Sequence, residues 1–126
     1  MNHVGLVGRI TKHPVLRELA GGKVQTSFSL AINRTYKNQN GEVDTDFVLC
    51  IAWGRLAETI VNHCGKGSLI GVSGRIQSRS YDKEDGTRVF LTEIVAEDVR
   101  FYQLKPTEAV AQQNIVPMPP VDFILP

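Results

Sequence analysis

An all-β barrel of five strands, with one short helix between the third and fourth, is the fold class this sequence predicts, on three observations. Apolar and polar residues alternate through five stretches, the period of a half-buried strand. Asn40-Gly41 and Asp85-Gly86 each separate two such stretches and carry the residue types that tight hairpin turns require. Only Leu56 to Cys64 spaces its apolar residues, Leu56, Ile60 and Cys64, at the helical interval of four. A chain of 126 residues is long enough for one core and a tail, and too short for two cores.

The first strand is predicted over Asn2 to Lys12, with Val4, Leu6, Gly8 and Ile10 on one face. Glycines inside a strand weaken it unless curvature or close backbone approach is needed, and a closed barrel needs both. His13-Pro14 breaks the run; Val15 to Leu19 is short and extended before Gly21-Gly22 turns the chain. Lys23 to Arg34 alternates most cleanly, with Phe28, Leu30 and Ile32 inward and Ser27, Ser29, Ala31 and Asn33 outward. A polar loop is expected from Thr35 to Asp44.

The third long strand, Asp44 to Leu56, carries bulky groups on both sides. Phe47, Leu49, Ile51 and Trp53 share one face, and Val48, Cys50 and Ala52 the other. Only one face can enter a small core, so the Phe47–Trp53 face must meet something else. The helix is expected to stop at Gly65. Leu69 to Arg79 then places Ile70, Val72, Gly74 and Ile76 inward, and its outer face becomes cationic toward Arg75 and Arg79, with Tyr81 continuing it. Thr87 to Tyr102 forms the last strand, with a bulge or bend expected near Ile94 to Ala96, where alternation falters. Residues 1–104 are expected to form the domain and residues 105–126 a tail, which holds every proline but Pro14.

A net charge of +1 gives no global basic signature, so any electrostatic footprint is local. No run approaches the roughly 18 apolar residues of a membrane span, and no basic segment followed by an apolar stretch marks a leader, so a cytoplasmic location is expected. Cys50 and Cys64 lack metal-ligand spacing and read as small buried hydrophobes. Gly65-Lys66-Gly67-Ser68 lacks the glycine offset of a phosphate loop. No nucleophile elbow, metal-ligand pair or carboxylate dyad appears, so no enzyme activity, catalytic residue, metal or cofactor is expected. The acids Glu42, Asp44, Asp82, Glu84 and Asp85 flank turns and read as solvated.

What does recur is an aromatic beside cations at strand ends. Arg34, Tyr36 and Lys37 form one such group, Phe47 and Trp53 with Arg55 a second, and Arg75, Arg79, Tyr81 and Lys83 a third. A base stacked on such a ring is stabilised by ~1–3 kcal/mol, while the cations contact phosphate. The competing assignment buries Phe47 and Trp53 in a subunit interface and solvates the arginines, since such rings serve interfaces equally well. Three groups on one five-strand pattern favour the ligand, and single-stranded nucleic acid offers both flat rings and negative charge.

Five strands with a helix after the third are the pattern of an OB-fold, a partly open barrel that binds oligonucleotides. Over residues 1 to about 104 the chain resembles the bacterial single-stranded DNA-binding protein family. The likeness rests on Asn2-His3-Val4-Gly5-Leu6-Val7-Gly8-Arg9, Phe47 through Glu58, Lys66-Gly67-Ser68, Gly74-Arg75-Ile76-Gln77-Ser78-Arg79 and Thr92-Glu93. It implies stacking aromatics at Tyr36, Phe47, Trp53 and Tyr81. Two of these are Tyr where many relatives hold Trp, and Trp53 stands where Phe is common.

The same likeness implies sequence-tolerant binding and protection of single-stranded DNA in replication, recombination and repair. It also implies a homotetramer in which the first strand is a pairing edge and Gly5 a close-approach position. The family's usual acidic tip ending in Ile-Pro-Phe, which docks replication and repair proteins, is replaced here by Val121-Asp122-Phe123-Ile124-Leu125-Pro126. Two other assignments compete: an OB-fold module working mainly through protein contacts, which would not need rings at all four places, and a binder of single-stranded RNA.

Overall fold

The computed structural model describes residues 1–107. Its strands are β1 (Val4–Ile10), β2 (Arg17–Glu18), β3 (Val24–Lys37), β4 (Val43–Trp53), β5 (Leu69–Asp82) and β6 (Arg88–Gln103), with the helix α1 (Gly54–His63) between β4 and β5. They lie in the order β1-β5-β6-β4-β3-β2, and β1 also pairs with β3, which closes the barrel. The two-residue β2 pairs only with the start of β3, so five long strands form the wall and α1 follows the third of them. This is the expected OB-fold.

Alternation explains the core. Ile10, Phe28, Leu30, Cys50, Ala52, Ile70, Val72 and Ile94 are the inward members of their strands, and Ala57, Ile60 and Cys64 from α1 complete the cluster. Gly8 permits the closure: a Cβ there would lie 2.7 Å from the Ala31 carbonyl oxygen, on the strand that β1 must meet. Gly54, at φ +64°, turns the chain from β4 into α1 in a conformation that suits a residue without a Cβ.

Several boundaries differ from the sequence reading. β3 continues through Lys37, so Arg34, Tyr36 and Lys37 belong to a strand and only 38–42 form the turn. The turn is built by Asn38, whose Oδ1 accepts from the amides of Asn40 and Glu42. Gly65 is not a left-handed helix stop: α1 ends at His63, and Gly65 is required because Pro106 and Lys105 pack against it. The Lys105 amide donates to the Ser68 hydroxyl at 2.9 Å. β6 bulges at Glu97, one residue beyond the expected stretch, since Ser73 pairs with Asp98 and Gly74 with Ala96, and again at Tyr102, between the Leu69–Gln103 and Ile70–Phe101 pairs. Of the tail expected at 105–126, residues 108–126 lie outside the described residues.

Candidate nucleic-acid interface

The register assembles the candidate face from four strands. Opposite one another on the outer surface lie Trp53 and Gln25, Ile51 and Ser27, Leu49 and Ser29, and Phe47 and Ala31, from β4 and β3. Across the parallel join Ile51 meets Val95, and Val95 meets Arg75 of β5. Along β5 the same face continues through Gln77, Arg79 and Tyr81. Ala31 leaves the Phe47 ring uncovered from that side, whereas Gln25 stands beside Trp53.

Phe47 is 69% exposed, Trp53 41%, Tyr36 64% and Tyr81 50%. Phe47 and Trp53 are six residues apart on one face, about 20 Å along the strand at the usual rise. Between the two rings the face is occupied by packed aliphatic side chains. Ile51 is buried beside Val95 where β4 and β6 join, and Leu49 is half-buried. Phe47, near the middle of β4, and Trp53, at its end, are two separate ring positions.

Tyr36 stands where β3 has three residues, 34–36, against the single Asp44 of β4, an irregularity that redirects side chains. Trp53 closes β4 and borders an open cleft of about 570 Å³ lined by Gly22, Lys23, Val24, Gly54, Arg55 and Glu58. Tyr81 rides on the β5–β6 hairpin, whose end is exposed on both faces. The turn at that end is tied by the Lys83 amide donating to the Thr87 carbonyl at 2.8 Å.

The cations divide into two kinds. Arg34 donates to both oxygens of Asp46, at 2.9 Å from Nη2 to Oδ1 and 3.1 Å from Nε to Oδ2, with Asp44 at 3.7 Å. The hydrogen bond and charge of Asp46 push the Arg34 guanidinium further toward its protonated form, and Arg34 in turn holds the Asp46 carboxyl below its ordinary value. Arg75 lies 3.6 Å from Glu97, and Arg79 2.6 Å from Glu93. Lys37, Arg55 and Lys83 are exposed and have no ion-pair partner among the described residues.

These acids were not foreseen as part of the face. Asp46 adjoins Phe47 in sequence and Glu93 follows Thr92, but neither pairing can be read without the cross-strand register. Lys23 was likewise passed over, although its place just after Gly21-Gly22 sets it at the β3 end that Trp53 faces. Phe90, 72% exposed, sits opposite Ser80 on the other face of the hairpin from Tyr81. Among the described residues no cluster of three or more His, Cys, Asp or Glu could hold a metal ion, and no helix is long and apolar enough to cross a membrane.

A model of the single-strand binding protein family matches residues 1–102. Single-stranded DNA-binding protein 2 of Listeria monocytogenes is 51% identical over 105 residues, which are 83% of this chain and 66% of that protein. Single-stranded DNA-binding protein B of Bacillus subtilis is 49% identical over 110 residues, 87% of this chain and 97% of that one. A solved structure, the Plasmodium falciparum SSB complex with ssDNA, superposes with a TM-score of 0.72 at 24% identity, covering 82% of this chain and 96% of that chain, a likeness of fold.

Proposed function

The chain belongs to the single-strand binding protein family, and from that premise we propose that it binds and protects single-stranded DNA during replication, recombination and repair, without catalysis. The observation that carries this reading is the exposure of Phe47 and Trp53 on the outer face of β4, with cations at both ends. Bases stack on Tyr36, Phe47, Trp53 and Tyr81, and every base has a π-face, so binding is largely indifferent to sequence. Phosphates are met by Lys37, Arg55 and Lys83, with Arg34 and Arg75 alongside, and Arg79 belongs to the same DNA-binding face. Duplex is disfavoured because a paired base has no free face to offer the rings.

Residues 1–104 act as the binding domain and 105–126 as its tail, in a homotetramer working in the cytoplasm at the nucleoid. The shape of β1 supports assembly. Its residues Val4 to Gly8 pair with β5 on one side, while pairing with β3 begins only at Arg9, so one edge remains open to a second copy.

Trp53 is the single tryptophan, which makes the test direct. Its fluorescence is quenched by oligo-dT, less so as salt rises, and changes little with duplex of the same length. Equal responses to both nucleic acids, or no response to either, would overturn the stacking model.

A further inference from the structure

Glu93 is a carboxylate with 1% of its side chain exposed, yet it stands on the outer face of the barrel, in register with Gln77 and one row from Val95. The Arg79 Nε reaches its Oε1 at 2.6 Å, and the Gln77 amide lies 3.5 Å from the same oxygen. Arg79 itself is 54% exposed, so the guanidinium acts as a lid over the acid with solvent on its far side.

We propose that Glu93 sets the charge of the binding face: it neutralises Arg79 and keeps its guanidinium on the sheet, so that Arg79 offers bases a flat surface and does not neutralise phosphate. This deepens the single-strand reading above and rests on it. A desolvated carboxylate stripped of its one cation is costly, and an exposed phosphate contact recovers little of that cost. Arg79 therefore stays with Glu93 when DNA arrives. With Nε engaged, the planar guanidinium keeps its terminal donors and its face, which suits stacking against a base. The phosphodiester chain is left to the unpaired cations Lys37, Arg55 and Lys83. Arg34 with Asp46 and Arg75 with Glu97 differ, because both members of each pair are about half exposed and can exchange partners.

The measurement is the slope of log affinity against log salt for an end-labelled oligo-dT of about 8 nucleotides, within the span of one barrel, read by anisotropy. Each phosphate neutralised on a single strand contributes about 0.7 to that slope. Glu93→Gln keeps the side-chain shape and releases Arg79, so its slope steepens by about 0.7. The double variant Glu93→Gln with Arg79→Gln removes both charges, and its slope matches that of the unsubstituted chain.

An unchanged slope in Glu93→Gln, or a slope in the double variant shallower by about 0.7, would overturn the proposal. The double variant decides alone if the single one fails to fold. Absence of oligo-dT binding by the unsubstituted chain would instead overturn the single-strand reading itself, and this proposal with it.

Discussion

Arg34 of β3 grips the carboxylate of Asp46 on β4 with two sides of its guanidinium fork, and so ties the strand end bearing Tyr36 to the one bearing Phe47. Bidentate geometry fixes orientation as well as distance. Two rings proposed to stack bases are thus carried on strands that this pair joins beside their backbone pairing.

The clamp has a pH signature. Arg34, first by hydrogen bonding and then by charge, holds the folded-state pKa of Asp46 below its ordinary 3.8. A carboxylate with a depressed folded pKa stabilises the fold fully above its unfolded value, and that contribution is lost as pH falls through the folded one. The melting temperature of the unsubstituted chain therefore exceeds that of Asp46→Asn at neutral pH, and the gap closes below about pH 4. The pair is solvent-exposed, so the gap is small and shrinks with added salt. A gap that stays constant from neutral to strongly acidic pH would exclude the Asp46 charge as its source.

Trp53 is half-exposed at the end of β4, beside the cleft that Lys23 and Arg55 border. Trp53→Ala removes a stacking surface while the barrel core, built from the other face of β4, is left in place. We expect a loss of oligo-dT affinity of ~1–3 kcal/mol, with the strand signal in circular dichroism retained. Trp53→Phe recovers most of the affinity. Unfolding of the alanine variant would mean that the ring supports the core after all.

The strands, the helix and the two Gly-containing turns were legible because each is written in a local period or a single backbone requirement. Phe28, Leu30 and Ile32 alternate within a few residues of one another, and they are inward or partly inward as expected. What escaped depends on residues far apart in the chain. Ile51 is buried because a parallel strand more than forty positions later places Val95 beside it. Arg79 is committed because the return strand of its hairpin places Glu93 within reach. Gly65 looked like a helix stop because glycine serves both purposes, and only the packing of Pro106 distinguishes them. The residue types of the candidate face were readable, whereas the partners that set their charge were not.

Cys50 and Cys64 are both buried and unpaired in a disulfide, one on the inner face of β4 and one at the end of α1. Desolvation pushes their thiols up to about 12 and about 11, so neither forms appreciable thiolate near neutral pH. A chromogenic disulfide reagent at pH 8 should label neither thiol faster than the chain opens, and should label both at once in denaturant. Rapid reaction of one thiol in the native chain would reveal local opening, at the end of α1 if Cys64 is the one modified.

Two glycines separate strand pairing within the barrel from assembly. A Cβ on Gly74 would run into the Val95 carbonyl oxygen, with the Ala96 Cα only 3.2 Å away, beside the Glu97 bulge where β5 and β6 are already drawn together. Backbone cannot yield as a flexible side chain does, so Gly74→Ala destabilises the fold by about 3 kcal/mol or more, at the upper end of overpacking costs. Gly5 is the opposite case. Nothing lies within 4 Å of a Cβ there, so Gly5→Ala leaves the single barrel as stable as before or slightly more so. If the open edge of β1 is where copies meet, that added methyl stands off the sheet face and crowds the cross-strand side chain that a second copy sets beside it. Native mass measurement should then show Gly5→Ala shifted toward smaller assemblies at unchanged monomer stability, and Gly74→Ala melting early whatever its mass. A Gly5→Ala protein with the native mass at every concentration would place the subunit contact elsewhere on the barrel.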